Sequence, residues 1–326
     1  MLRRLQCIRA AGTDPYENLA VEEVLLDGVE EGVCILYLWQ NQNTVVIGRN
    51  QNAWKECRVS LLEEEGGRLA RRLSGGGAVF HDLGNLNFTF LMREEDYDLD
   101  RQLTVIETAC RALGLEVERS GRNDVLAGGR KFSGNAFYHS RGRAYHHGTV
   151  LVDTDAEKLA RYLSPSKAKL QAKGVDSVRA RVVNLSQLCP GLTCEGMAGA
   201  LEDAFGAVCG LPVERLSPES LDWARVEQLR TRNASDHWLF GPRLPLSMEC
   251  EARFDWGGVQ LQLQVESGVV TGAKAYTDAM DWQLAPRLEE ALLGCPFATA
   301  RLCGVLTEKE VPYAADLCRM LEEQQL

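Results

Sequence analysis

The segment Gly241-Pro242-Arg243-Leu244-Pro245 sets two prolines within four residues, which neither a regular helix nor a central strand accommodates. A 326-residue chain broken there divides into a long first part and a short second one. We expect an α+β fold, with a large mixed-sheet domain over 1–244 and a small α+β domain over 250–326. Asp14-Pro15 followed by Glu17 is a helix start, with acids at the positive end of the dipole and Leu19, Leu25 and Leu26 turned inward. Val33–Trp39, Thr44–Ile47 and Leu86–Met92 are apolar, β-branched or aromatic runs that predict strands. Asp98 or Asp100 opens a helix to Gly114, with Leu103, Ile106, Cys110 and Leu113 on one face. Residues 117–152 predict several strands joined by glycine-rich turns, and helical patterns follow over 195–208 and 218–232. Past the break, residues 259–266 alternate strictly, as a strand with one wet face does, and 305–324 predict a closing helix.

Composition limits the class of function. With 45% hydrophobic and 25% charged residues the chain is globular, not disordered or fibrous. A net charge of -10 argues against a general nucleic-acid or anionic-membrane binder. No uncharged apolar stretch reaches the length of a membrane span, and the first residues lack the apolar run of a signal peptide. The eleven cysteines are scattered without a Cys-x-x-Cys pair, which argues against zinc or a disulfide framework and for free thiols in a reducing cytoplasm.

The charge is unevenly spread. Arg119 to Arg181 holds 13 basic and 5 acidic residues, a local +8, which leaves -18 on the remainder. That basic stretch contains most of the residues to which chemistry can be assigned. The others sit earlier, in Arg71-Arg72-Leu73-Ser74-Gly75-Gly76-Gly77-Ala78-Val79-Phe80-His81-Asp82-Leu83-Gly84-Asn85. Consecutive glycines imply positive φ angles or a close approach by something bulky. Backbone amides beside an arginine suit a phosphate or carboxylate, although a glycine-rich hairpin is the plainer reading. Neither a P-loop nor a dinucleotide fingerprint is present there.

In Gly129-Arg130-Lys131-Phe132-Ser133-Gly134-Asn135-Ala136 a solvated turn is the bland alternative. The Phe and Ser-Gly that follow Lys131 would instead tie it to a close-packed strand, where its ammonium could bridge a carboxylate and an α-phosphate. Asn123 and Asp124 carry oxygens of the kind that orient a ribose or a magnesium ion. His146 and His147, adjacent in a strand, point to opposite faces, so packing or hydrogen bonding is expected of both. The basic run 167–181, interrupted by Gly174, is either a solvated loop or one that closes over an anion and excludes water. An enzyme that binds a nucleoside triphosphate and an acid explains the set most simply.

In this order, RRLSGGGAVFHDLGN, SGRND, KFSGNA, HHGT and KGVDSVRARV closely resemble bacterial lipoate–protein ligases. The resemblance runs from about Asp14 to Leu185 and includes TVVIGR at 44–49 and NAWKEC at 52–57. The segment FDWGGV at 254–259 resembles the accessory domain of the two-domain form. The resemblance implies a fold of the biotin/lipoate ligase type. It also implies ATP-dependent activation of lipoate to lipoyl-AMP, then transfer of the lipoyl group to a lysine of a lipoyl domain. Acceptors would be the 2-oxoacid dehydrogenase complexes and the glycine cleavage H protein.

Carried over by motif, Arg72, Ser74, Gly75, Gly76, His81, Asn85, Lys131 and Ala136 would meet lipoate. The nucleotide would meet Arg72, Gly77, Ala78, Val79, Phe80, Asn123, Asp124, Lys131, Lys173 and Arg179, with Mg2+ near Asp124. Lys131 would be the catalytic residue, touching both the lipoyl carbonyl and the α-phosphate, and residues 167–182 would fold over the adenylate. Trp39, Val46 and Val79 would wall the apolar slot. One departure is the six-residue, glycine-rich stretch between Asp124 and Lys131, shorter than in the best-known members. The chain is expected to be a cytoplasmic monomer. The alternatives are an octanoyl- or lipoyl-transferase with a cysteine nucleophile, a biotin ligase, and a non-catalytic lipoyl-domain binder. No cysteine lies between Cys110 and Cys189 to serve the first, and the biotin-type glycine-arginine loop is not seen in the matching place.

Overall fold

A computed structural model of the protein describes residues 1–121, 123–163, 182–241 and 244–324. The strands are β1 (Arg4–Arg9), β2 (Val33–Trp39), β3 (Thr44–Ile47), β4 (Arg68–Arg71), β5 (Val79–His81), β6 (Asn85–Arg93) and β7 (Val117–Ser120). They continue as β8 (Asp124–Ala127), β9 (Arg130–Ser140), β10 (Arg143–Leu151), β11 (Val213–Arg215), β12 (Met248–Phe254), β13 (Gly257–Glu266) and β14 (Val269–Thr277). Eight of them form one mixed sheet in the order β11-β1-β2-β6-β10-β9-β8-β7, parallel across β11-β1-β2 and antiparallel beyond. A small sheet, β4-β3-β5, stands apart from it, and β12-β13-β14 form a meander in a small C-terminal domain.

Both faces of the large sheet are covered. Helix Leu99–Ala112, whose N-terminus is capped by Asp98 accepting from the Arg101 amide, packs with helix Cys194–Cys209 on one face. Helix Pro15–Gly28, capped by Asp14 accepting from the Tyr16 and Glu17 amides, lies on the other, where Leu19, Leu25 and Leu26 are buried. The central strands therefore divide their residues between two cores. In β2, Cys34, Leu36 and Leu38 enter the first, and Val33, Ile35, Tyr37 and Trp39 enter the second. Two-sided burial explains why these strands read as continuous apolar runs.

In the small domain, Val259, Leu261 and Leu263 of β13 face the core. The opposite face is not simply wet: Gln260 is buried and accepts from Asn52 Nδ2 of the large domain at 3.1 Å. Further links join the domains. The Thr277 amide donates to Asn50 O at 2.9 Å, and Asn50 Nδ2 donates to Trp282 O at 2.7 Å. Helix Leu284–Leu292, which the sequence reading leaves unassigned, buries Leu288 and Leu292 against the meander. The single helix expected over 305–324 is two, Thr299–Glu308 and Ala314–Glu322. Pro312 lies between them, with Glu310 and Tyr313 at positive φ, and a residue lacking an N–H cannot carry the helix through. The pattern over 218–232 resolves into a 3-10 turn, Pro218–Ser220, and helix Trp223–Asn233.

Candidate functional site

A pocket opens between β9 and β10 of the large sheet and the β3–β5 sheet. Leu19, Trp39, Val46, Val79 and Ala136 give it apolar walls. Arg72, Gly76, Gly77, Asn123, Lys131 and Thr149 bring polar groups to the same space, with His81, Asn87 and His147 beside them. Met280 of the small domain also lines it.

The glycine segment is shaped from below by Arg72. This guanidinium is 6% exposed and donates from Nη2 to Gly75 O at 2.7 Å and Gly77 O at 2.8 Å, from Nη1 to Val46 O at 3.2 Å, and from Nε to Ser74 Oγ at 3.0 Å. Because a trans peptide sets its C=O and N–H in opposite directions, the amides of Gly76 and Ala78 point away from the arginine. The Gly76 amide donates to Ala279 O at 3.0 Å. The glycines serve separate needs: Gly76 takes φ 86°, and a Cβ on Gly75 would stand 2.4 Å from Ala279 O. Close approach and positive φ are thus both present, at neighbouring residues. Burial pulls the Arg72 pKa down to about 10. Arg71, next to it, is also buried but serves a different place, donating to the carbonyls of Gly48, Arg49, Gln51, Trp238 and Leu239.

Lys131 stands at the start of β9, after a two-residue turn in which Gly128 and Gly129 both take positive φ, 56° and 73°. That is the geometry of a tight primed hairpin, and it accounts for the short stretch between Asp124 and Lys131. Phe132 and Ser133 are fully buried, which ties the lysine to a packed strand. Its Nζ lies 2.6 Å from Asp124 Oδ1, and a Cβ on Gly134 would come within 2.8 Å of it. Gly134 therefore leaves the room in which the ammonium sits. The carbonyl of Lys131 accepts from the Val183 amide at 2.9 Å.

His146 and His147 diverge as the strand alternation requires. His146 is fully buried between Gln102 Oε1, 3.0 Å from Nδ1, and Asn135 Oδ1, 2.8 Å from Nε2, and burial pushes its pKa down to about 3. His147 lines the pocket, with Nε2 2.7 Å from Ser74 Oγ and Nδ1 2.9 Å from Glu22 Oε1. His81 is buried too. Its pKa is lowered to about 3, first by burial and then by Arg72 and His147. Asn41 Nδ2 lies 3.2 Å from His81 Nδ1, and Asn41 Oδ1 in turn accepts from Asn18 Nδ2 at 3.0 Å. This arrangement makes His81 Nδ1 an acceptor and leaves the proton on Nε2, which has no partner among the described residues.

Of the residues singled out by motif, Arg72, Gly76, Gly77, Ala78, Val79, His81, Asn123, Lys131 and Ala136 line the pocket. Asp124 joins through Lys131. The side chains of Ser74, Phe80 and Asn85, and Gly75, do not line it. Phe80 alternates to the far side of β5, against Tyr162, and Asn85 donates to Asn87 Oδ1 at 3.0 Å from behind. Ser74 is wholly buried under His147. Lys173 and Arg179 lie outside the described residues. The +8 stretch is not simply gathered at the pocket: Arg119 pairs with Asp100 and Glu107, and Arg161 with Glu65. Sequence reasoning missed Asn87, Thr149, Met280 and the pocket role of His147. Thr149 and His147 lay within the HHGT motif, but nothing in sequence marked Met280, which arrives from a distant segment.

Among the described residues no group of three or more His, Cys, Asp or Glu could hold a metal ion, and no helix is long and apolar enough to cross a membrane. Residues 14–206 match the family model of the lipoyl protein ligase A/B catalytic domain, and residues 245–318 that of the bacterial lipoate protein ligase C-terminus. Among solved structures, LipL1 of P. falciparum, in complex with lipoate, is 25% identical with a TM-score of 0.83, over 97% of this chain and 98% of that one. The bi-partite lipoate protein ligase of Thermoplasma acidophilum, studied with its E2 lipoyl domain, is 26% identical with a TM-score of 0.65, over 76% and 100%. Lipoate-protein ligase A bound with ATP is 25% identical with a TM-score of 0.63, over 74% and 99%. The chain belongs to the lipoyl protein ligase A/B catalytic-domain family and carries behind that domain the C-terminal unit of bacterial lipoate protein ligases.

Proposed function

We propose that this enzyme activates lipoate with ATP to lipoyl-AMP and then transfers the lipoyl group to a lysine of a lipoyl domain. The observation that carries the reading is one pocket in which Trp39, Val46 and Val79 wall an apolar space that also receives Arg72 and Lys131. An alkyl dithiolane needs the first and a carboxylate reacting with a phosphate needs the second. The carboxylate oxygen attacks the α-phosphorus and pyrophosphate leaves. The acceptor lysine then attacks the lipoyl carbonyl, and AMP leaves with the bridging oxygen. Both reactants of the first step are anions, so Arg72 and Lys131 would offset their repulsion. Lys131 would exchange its Asp124 partner for the reacting oxygens.

Asp124, with Asn123 beside it, is a single carboxylate. It suits a magnesium ion that arrives on the nucleotide's phosphates more than a resident metal, and the ion would supply charge neutralisation there. Gly77 to Phe80 would contact the nucleotide through their backbone. Ser74, Gly75 and Asn85 would support the lipoate slot from behind the lining. Lys173 and Arg179, within 167–182, would cover the adenylate and keep water from it. Residues 1–244 would form the catalytic domain and 250–326 the accessory domain. Acceptors would be the lipoyl domains of 2-oxoacid dehydrogenase complexes and the glycine cleavage H protein, met by a cytoplasmic monomer.

Among the described residues no cysteine lines the pocket, which favours the ligase over a thiol-dependent transferase. The test is lipoate-dependent exchange of labelled pyrophosphate into ATP. Exchange should fall by at least about 10²-fold in Lys131→Ala while the circular dichroism spectrum is unchanged. Acyl transfer from an acyl carrier without ATP, and no exchange, would overturn the reading.

A further inference from the structure

The guanidinium of Arg72 is buried, yet among the described residues no carboxylate touches it. All its contacts, Ser74 Oγ and the carbonyls of Val46, Gly75 and Gly77, are neutral. A buried cation without compensation is costly. The compensation is found by following the hydrogen bonds outward. Arg72 Nε donates to Ser74 Oγ, the Ser74 hydroxyl faces His147 Nε2 at 2.7 Å, and His147 Nδ1 faces Glu22 Oε1 at 2.9 Å. The links admit one polarity, in which Ser74 accepts from the arginine and donates to Nε2 while the imidazole donates from Nδ1 to the carboxylate. Glu22 is 1% exposed, on a helix of the large domain, and also accepts from Thr89 Oγ1 at 2.7 Å, which in turn accepts from Trp39 Nε1 at 3.0 Å. One chain of buried hydrogen bonds thus runs from the wall of the slot to the glycine segment.

We propose that Glu22 is a positioning residue for Arg72, a remote counter-charge delivered through His147 and Ser74 that leaves the guanidinium itself without a bonded anion. A carboxylate bound directly to Arg72 would compete with any anionic substrate. One held behind a hydroxyl and an imidazole steadies the cation and leaves it able to shape the loop and meet a ligand. Burial disfavours the Arg72 charge, and the Glu22 carboxylate favours it. Chains of this kind polarise along their length, so each link strengthens the next.

The test is a double-mutant cycle on thermal stability, which needs no activity. Glu22→Gln keeps the shape and removes the charge, and should lower Tm by about 5–10 °C, as expected when one partner of a buried charge pair is lost. In an Arg72→Gln background the same change should cost less than about 2 °C. If Glu22→Gln does not fold alone, the Glu22→Gln/Arg72→Gln double variant should recover folding. Additive losses, or a double variant no better than the single one, overturn the proposal. Ser74→Ala, which cuts the chain without removing a charge, should reduce the coupling between positions 22 and 72 at least two-fold, and unchanged coupling counts against a relay. A second readout rests on the lipoate-binding reading above: lipoate should raise the Tm of Glu22→Gln more than that of the wild type, because its carboxylate replaces the lost charge. A coupled cycle with no lipoate shift in any variant keeps the relay and discards the ligand.

Discussion

The two faces of the large sheet are built from the same strands and have opposite characters. On the face covered by helices Leu99–Ala112 and Cys194–Cys209, the core is Phe88, Phe90, Met92, Leu36 and their neighbours, and the buried histidine, His146, is enclosed by Gln102 and Asn135. On the face covered by helix Pro15–Gly28, the same strands present Thr89, Asn87 and His147 among apolar residues, and the pocket lies there. His146 and His147, one residue apart, divide between a packing task and a polar network. The lesson is that a strand buried on both sides can commit one set of alternate residues to stability and leave the other for chemistry.

The comparison can be broken most forcefully at Phe88, which is fully buried on the packing face. Phe88→Ala should cost about 3–5 kcal/mol in denaturant unfolding. Pyrophosphate exchange per folded molecule should stay near the wild-type value, and a large fall in kcat would show that the faces are not independent. Next comes pH. His146 on the packing face and His81 of β5, across the pocket, have pKa values lowered to about 3 from an ordinary 6.5, so the unfolded chain takes up protons that the native one refuses. Their contribution is present above pH 6.5 and lost as pH falls toward 3. Each adds a slope of up to about 1.4 kcal/mol per pH unit, and thermal scans from pH 7 to 5 should show Tm falling. His146→Gln should flatten that slope without changing the KM for lipoate, whereas His81→Gln should flatten it and change KM. The smallest effect is at Asp98, the cap of the helix over the packing face. Asp98→Ala should cost about 1 kcal/mol and leave exchange untouched.

Much of the fold was legible because its signals are local. Asp14 caps its helix where the capping pattern puts it, Asp98 is the cap of the two acids that pattern offers, and β2, β3 and β6 follow their apolar runs. The glycine segment was legible because close approach and positive φ restrict residue type, and the place of Lys131 because the Phe132 and Ser133 that follow it pack into the strand. What was hidden depends on distant contacts. Glu22 reads as an ordinary helical acid until His147 arrives beside it from β10, and Gln260 reads as part of a wet face until Asn52 covers it. The closing helix is the local exception: the apolar spacing over 305–324 suits one helix, whereas the missing amide of Pro312 divides it in two.

The hydrogen bond from the Gly76 amide to Ala279 O joins residues about two hundred positions apart in one chain, so its strength is a matter of tethering as well as geometry. A covalently linked partner acts at an effective concentration on the order of millimolar, whatever the concentration of the protein. The completeness of the pocket wall at Met280 is therefore insensitive to dilution. Were the same two parts supplied as separate chains, the share of pockets with that wall in place would rise and fall with their concentrations, and the slot would be tuned by expression level.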